Sequence, residues 1–165
     1  MKRTESVPAA PAGVILALDL GSMLGWAIRL SGAGIVHGTV EFRNGRFEGG
    51  GMRWLRFRKW LHAMHIDNGP LAAIYFEEVR RHKGVDAAHA YGGFLSHLTA
   101  WCEEKQIPYL GIPVGTIKKH ATGKGNSGKP AMVAAMKARG FEPQSDNDAD
   151  AIAVLLCATA PGMTT

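Results

Sequence analysis

Residues 14–18 read Val-Ile-Leu-Ala-Leu, an unbroken apolar run that stops at Asp19. It is too short for a helix and has no polar face, so it predicts a strand at the centre of a sheet. Asp19 puts a carboxylate at the C-terminal end of that strand. Gly21 and Gly25 predict a tight turn after it. Two further strands, at 26–30 and 35–42, continue as an antiparallel meander. In the third, Val36, Gly38 and Val40 alternate with His37, Thr39 and Glu41.

Residues 43–51 are glycine-rich and predict a loop. Over 52–65, Trp54, Phe57, Leu61 and Met64 recur at helical spacing. The interleaved Arg53, Arg56, Arg58 and Lys59 are expected to face water. A buried strand at 71–76 ends in Glu77 and Glu78, and a basic loop and a long helix, 86–105, follow it. A strand is predicted at 107–112, and Pro113 is expected to open a short helix through His120. A flexible glycine-rich turn at 122–128 precedes a helix over 130–139, closed by Gly140. The last helix begins within 146–150 and runs through Ala158. This order predicts an α/β protein with a central mixed five-stranded sheet, three antiparallel strands then two parallel ones, flanked by helices. Its 165 residues suit one domain, placed at 14–165 behind a flexible N-terminal tail at 1–13.

No apolar stretch reaches the roughly 20 residues that a bilayer requires. The basic start resembles a signal peptide, but Glu5, Pro8 and Pro11 interrupt it and no small-residue cleavage site follows. The cytoplasm of a bacterial or phage-infected cell is therefore expected. Cys102 and Cys157 lie far apart, form no CxxC pair, and read as reduced core residues. Four histidines, His62, His65, His89 and His97, show no metal-site spacing. The net charge of +5 points to a polyanionic partner such as nucleic acid.

The positions of the fourteen acidic residues say more than the net charge. Asp19 and Glu77 end strands predicted to be parallel neighbours, and such ends share one edge of the sheet. Asp146 and Asp150 are four apart, so they share a helix face, whereas Asp148 points elsewhere. Converging carboxylates repel one another unless a cation is present. Mg²⁺ or Mn²⁺ suits oxygen ligands, and two such ions about 4 Å apart can clamp the attacking and leaving oxygens of a phosphodiester. Taken singly, the same acids also fit helix N-termini and solvated strand ends.

These segments resemble the motifs of RuvC-type Holliday junction resolvases. Ile15-Leu16-Ala17-Leu18-Asp19-Leu20-Gly21-Ser22 with Gly25 resembles the opening motif, and Phe76-Glu77-Glu78-Val79 the second acidic motif. Asp146-Asn147 followed by Ala149-Asp150-Ala151-Ile152-Ala153 resembles the closing one. Ile117-Lys118, Gly123-Lys124-Gly125 and Lys129 match the family's lysine and glycine spacing. The resemblance implies an RNase H-like fold and a homodimeric nuclease with two metal ions per active site, Mg²⁺ or Mn²⁺, that nicks four-way DNA junctions. It makes Asp19, Glu77, Asp146 and Asp150 the metal-binding carboxylates and puts Lys118 and Lys129 near the scissile phosphate. The four-residue step from Asp146 to Asp150 is similar to the compact phage-encoded branch, and the acid at Glu78 leaves a second candidate beside Glu77.

Arg80, Arg81, His82 and Lys83 follow Glu77 directly and are candidates to grip DNA backbone. Lys119 and Lys124, with Lys118 and His120, surround a glycine-rich turn whose amides can approach phosphates. The competing readings are an RNase H or flap nuclease of the same fold, and a non-catalytic DNA-binding module. A sugar-kinase-type ATP-binding protein shares the Asp19-Leu20-Gly21 pattern but needs two such subdomains.

Overall fold

The apolar run becomes strand β1 (Val14–Asp19), followed by β2 (Met23–Arg29) and β3 (Ile35–Glu41). Helix α1 (Met52–Asp67), strand β4 (Leu71–Glu78), helix α2 (Val85–Lys105) and strand β5 (Tyr109–Pro113) come next. Helices α3 (Val114–Thr122), α4 (Lys129–Ala138) and α5 (Asp146–Thr159) complete the chain. This computed structural model describes residues 11–32 and 34–163. Most of the expected N-terminal tail, residues 1–10, lies outside them; the Pro11 carbonyl accepts a hydrogen bond from Arg29 at 3.0 Å.

The sheet runs β3-β2-β1-β4-β5, with β1 at its centre as the apolar run predicts. β2 pairs antiparallel with β1 and with β3, while β4 runs parallel to β1 and β5 parallel to β4. Alternation along β1 sends Leu16 and Leu18 to one face and Ile15 and Ala17 to the other. The first row packs with Phe57 and Leu61 of α1 and Phe94 and Leu98 of α2. The second packs with Ile117 of α3, Met132 and Met136 of α4, and Ile152 and Leu155 of α5. Cys102 and Cys157 are free and buried in these two layers, and burial pushes their thiols up to about 12 and about 11.

Two local expectations change. Gly25 is no turn residue: it lies inside β2, directly opposite Asp19. A Cβ there would overlap the carbonyl of Asn147, so the first turn of α5 lies backbone against backbone on β2. Pro113 ends β5 and caps α3 in an extended conformation instead of opening the helix. His37, in the alternating set that also holds Thr39 and Glu41, is largely covered. Its ring meets Phe141 edge-on at 6.0 Å, and its Nδ1 stands 2.8 Å from the carboxylate of Asp148.

Asp148 is fully buried. Its carboxylate also accepts from the Gln144 amide at 2.8 Å, while its own amide donates to the N-cap hydroxyl of Ser145 at 3.1 Å. This satisfies the helix start from both directions, in the manner of a capping box. A buried carboxylate without such partners would be strongly destabilising. Asp148 therefore anchors α5 to β3 and points away from Asp146 and Asp150, as their spacing predicts.

Replacing Gly25 by alanine would force α5 off β2. The expected loss is about 2–3 kcal/mol in urea unfolding, the upper range for overpacking. Gly50→Ala, where an added methyl meets nothing, is the control and should be near neutral.

Candidate active site

Strand alternation decides which acids meet. Asp19 continues the Ile15–Ala17 row toward α5. In β4, Ile74 and Phe76 pack on the α1–α2 layer and Tyr75 on the other, so Glu77 falls on the α5 side and Glu78 on the opposite face. Glu78 instead approaches Arg80 at 3.4 Å. The end of β4 is held by Tyr91 of α2, whose hydroxyl donates to the Glu77 carbonyl at 2.9 Å and accepts from the Val79 amide at 3.1 Å. The first turns of α5, laid against Gly25, bring Asp150 to the same edge.

Asp19, Glu77 and Asp150 are half-buried and feel one another's charge. Burial, then the charges of Glu77 and Asp150, holds the Asp19 carboxyl well above the usual range, against a smaller opposing effect of Lys129. Burial and Asp150 push Glu77 up to about 7, opposed by Lys118 and Lys129. Burial also raises Asp150, which the same two lysines partly offset. Asp146 sits at the rim, its carboxylate 3.3 Å from Lys129 Nζ, and both side chains are well exposed. The four predicted carboxylates and both predicted lysines thus form one electrostatic group.

Beside this group lies a cavity of about 600 Å³, with Asp19, Ser22, Arg53, His82, Lys129 and Asn147 in its wall. Arg53 and Asn147 escape a pattern reading. Arg53 belongs to the helix charges expected to face water, yet its guanidinium donates to the Phe42 carbonyl at 2.9 Å and to Ser22 Oγ at 3.1 Å. Its sequence signal is slight: it is the second residue of α1, just after a glycine run, where a side chain can turn back along the preceding strand. In the sequence Asn147 stands only as part of the closing motif; its backbone contact with Gly25 and its place in the cavity wall come from the fold.

The predicted DNA-contacting residues divide. His82 reaches the cavity and leans on the Tyr91 ring at 4.8 Å. Arg80, Arg81 and Lys83 are exposed on the segment between β4 and α2, outside the cavity wall. Lys119 and Lys124 are exposed as well, at α3 and the turn after it. That turn is tied down rather than loose: the Thr122 hydroxyl meets Ser127 Oγ at 2.5 Å and accepts from the Lys124 amide at 3.2 Å.

No protein-family model matches the chain, and no curated protein matches it. Solved structures do match. RuvC of Thermus thermophilus in complex with Holliday junction substrate superposes with a TM-score of 0.70 at 19% identity, over 88% of this chain and 92% of that one. A second structure of Thermus thermophilus RuvC gives 0.68 at 20% identity, over 87% and 92%. The yeast mitochondrial Holliday junction resolvase Ydc2 gives 0.61 at 14% identity, over 92% and 79%. The chain has a RuvC-like, RNase H-type fold. On this RuvC-like sheet the two acidic strand ends and the start of the last helix share one edge, which is the placement predicted from the motifs.

Among the described residues, no three His, Cys, Asp or Glu side chains are already gathered around one ion position. The donor chemistry nevertheless fits a hard divalent cation: half-buried carboxylates in mutual repulsion, with lysines that offset only part of it. The raised carboxyls also link stability to pH. Between about pH 4.5 and 7 the folded chain keeps protons that the unfolded chain has released, so stability falls as pH rises through that window. In a chelator, the melting temperature should drop from pH 5 to pH 8. Asp19→Asn should flatten that drop and raise the melting temperature at pH 8. Added Mg²⁺ or Mn²⁺ should do the same for the unsubstituted chain.

Proposed function

We propose that the chain is a divalent-metal-dependent endonuclease of branched DNA that cuts four-way junctions as a homodimer, one site nicking each of two strands. The observation that carries this reading is the convergence of Asp19, Glu77 and Asp150 on one edge of a RuvC-like sheet, beside Lys118 and Lys129. One of the structures with this fold is RuvC in complex with Holliday junction substrate. No described helix is long and apolar enough to cross a membrane, and we place the activity in the cytoplasm, with the Asp146–Asp150 spacing assigned to the phage-encoded type.

The reaction is hydrolysis: a water oxygen bonds to phosphorus, and the bond to the 3′-oxygen breaks. Asp19, Glu77 and Asp150 would hold Mg²⁺ or Mn²⁺, two ions per site, with Asp146 at the rim. Held there, such ions would supply charge stabilisation for the displacement. The protein holds its carboxylates in place before substrate arrives. Tyr91 fixes the end of β4, and Gly25 and Asp148 fix the start of α5. Lys129 and Lys118 add positive charge where the phosphorane's charge develops. Arg80, Arg81, Lys83, Lys119 and Lys124 lie farther out and would neutralise the phosphates of the arms, which select by shape rather than base sequence.

On a synthetic four-way junction with Mg²⁺, Asp19→Asn, Glu77→Gln and Asp150→Asn should each slow cleavage by more than about a hundredfold, the upper loss seen even for outer-shell partners. Glu78→Gln, on the opposite sheet face, should stay within about threefold of the unsubstituted rate. Full cleavage by folded Asp19→Asn and Asp150→Asn would refute the site, and faster cutting of flaps or RNA–DNA hybrids would refute the substrate. Separately, Arg80→Ala combined with Arg81→Ala should weaken junction binding and reduce the slope of log affinity against log salt by about two, roughly one per lost phosphate contact.

A further inference from the structure

The segment between β3 and α1 carries an arrangement that the catalytic reading does not use. Phe47 is 94% exposed, far beyond the other exposed apolar side chains of the described chain. It is not the loose tip of a floppy loop. A turn closes beneath it, with the Glu48 amide donating to the Gly45 carbonyl at 3.1 Å. The Glu48 carboxylate accepts from the Gly45 amide at 2.6 Å and pairs with Arg56 of α1. Asn44 accepts from the Arg53 amide at 2.9 Å and donates to the Gly50 carbonyl at 3.3 Å, closing the base of the loop. The hydrogen bonds of the segment therefore hold an aromatic ring out in water, where its apolar area is unfavourable.

Two neighbours indicate what that ring meets. The Arg46 guanidinium lies over it at 5.5 Å, so a positive charge stands on the ring face, while Arg43 on the same segment pairs with Glu41 at 3.0 Å. One residue of α1 links the loop to the cavity: the Arg53 amide donates to Asn44, while its guanidinium reaches Ser22 and lines the cavity with Asp19. A nucleobase suits an exposed ring beside a guanidinium, because it offers a flat apolar face attached to phosphate.

We propose that the 43–51 loop is a second DNA-contacting element that stacks Phe47 on a base exposed at the branch point. In this arrangement Arg46 holds the adjoining phosphate, and Arg53 ties the loop to the cavity wall at Ser22. This deepens the junction-nuclease reading and rests on it. The element contributes to recognition of open or distorted DNA, which presents an unstacked base face. Uniform duplex does not present one.

The test uses the full chain, a fluorescein-labelled four-way junction and a linear duplex of equal length, without divalent ions. A second junction carries 2-aminopurine at each base beside the branch point. Phe47→Ala is expected to weaken junction binding by about five- to a hundredfold, the range of base–aromatic stacking. It should also abolish the 2-aminopurine change that the unsubstituted chain produces, and leave duplex binding within about twofold. Phe47→Trp should restore both signals. Because Phe47 packs against nothing in the core, unchanged melting temperatures are expected for both variants. Junction binding and 2-aminopurine fluorescence that do not respond to Phe47→Ala would overturn the proposal while leaving the nuclease reading intact. Equal loss on junction and duplex would overturn it too, as would a fall in solution mass showing that Phe47 packs on a second copy. A chain that neither binds nor cuts junctions would refute the functional reading first, and this proposal with it.

Discussion

The site depends on one backbone contact. The carbonyl of Asn147, in the first turn of α5, lies where a side chain on residue 25 would be, and only glycine leaves that space open. Because Gly25 sits opposite Asp19 in the β1–β2 ladder, docking the helix there fixes the distance between a strand-end carboxylate and the helix that carries Asp150. The buried pairing of Asp148 with His37 and the Gln144 amide locks the same helix start to the sheet edge. Substantial burial of the rest of α5 then follows, with Ile152, Val154 and Leu155 closing over β1 and β2.

That docking has an electrostatic consequence. It holds half-buried carboxylates near one another without giving them direct ion pairs, so Asp19, Glu77 and Asp150 all bind protons more tightly than usual. Such a cluster opposes folding at neutral pH and is tolerated because the hydrophobic layers on both sheet faces are extensive. Sites that concentrate like charge commonly trade stability for chemistry in this way. Tyr91 shows how little freedom the arrangement has: one hydroxyl bridges a carbonyl and an amide at the end of β4, keeping Glu77 in register with Asp19.

Several parts of this were legible in residue order. The uninterrupted 14–18 run placed β1 at the sheet centre, because no polar face was available for solvent. The helical spacing of Trp54, Phe57, Leu61 and Met64 placed α1, although Trp54 also needs Gly93 of α2 to make room for its ring. The choice of Glu77 over Glu78 follows from period-two alternation once Phe76 is known to face α1 and α2. Ser145 and Asp148 three residues apart are a capping signal, hidden among neighbouring acids that suggested a purely electrostatic role. The contacts of Arg53, His37 and Asn147 were not legible, because each is polar and its partner lies elsewhere in the chain.

By itself, the sequence determined the elements, their order, the edge of the sheet where acids gather, and the basic segments around it. These follow from local periodicity and from the short reach of turns, which depend on neighbours along the chain. Only the tertiary structure decided which polar side chains are buried, how far each carboxyl is raised, and that Gly25 is a contact rather than a turn. It also decided that Arg53 faces the cavity while Phe47 faces water. Those outcomes depend on what packs across the sheet from residues some 20 to 120 positions away, and desolvation and charge interaction act through space, whatever the separation along the chain.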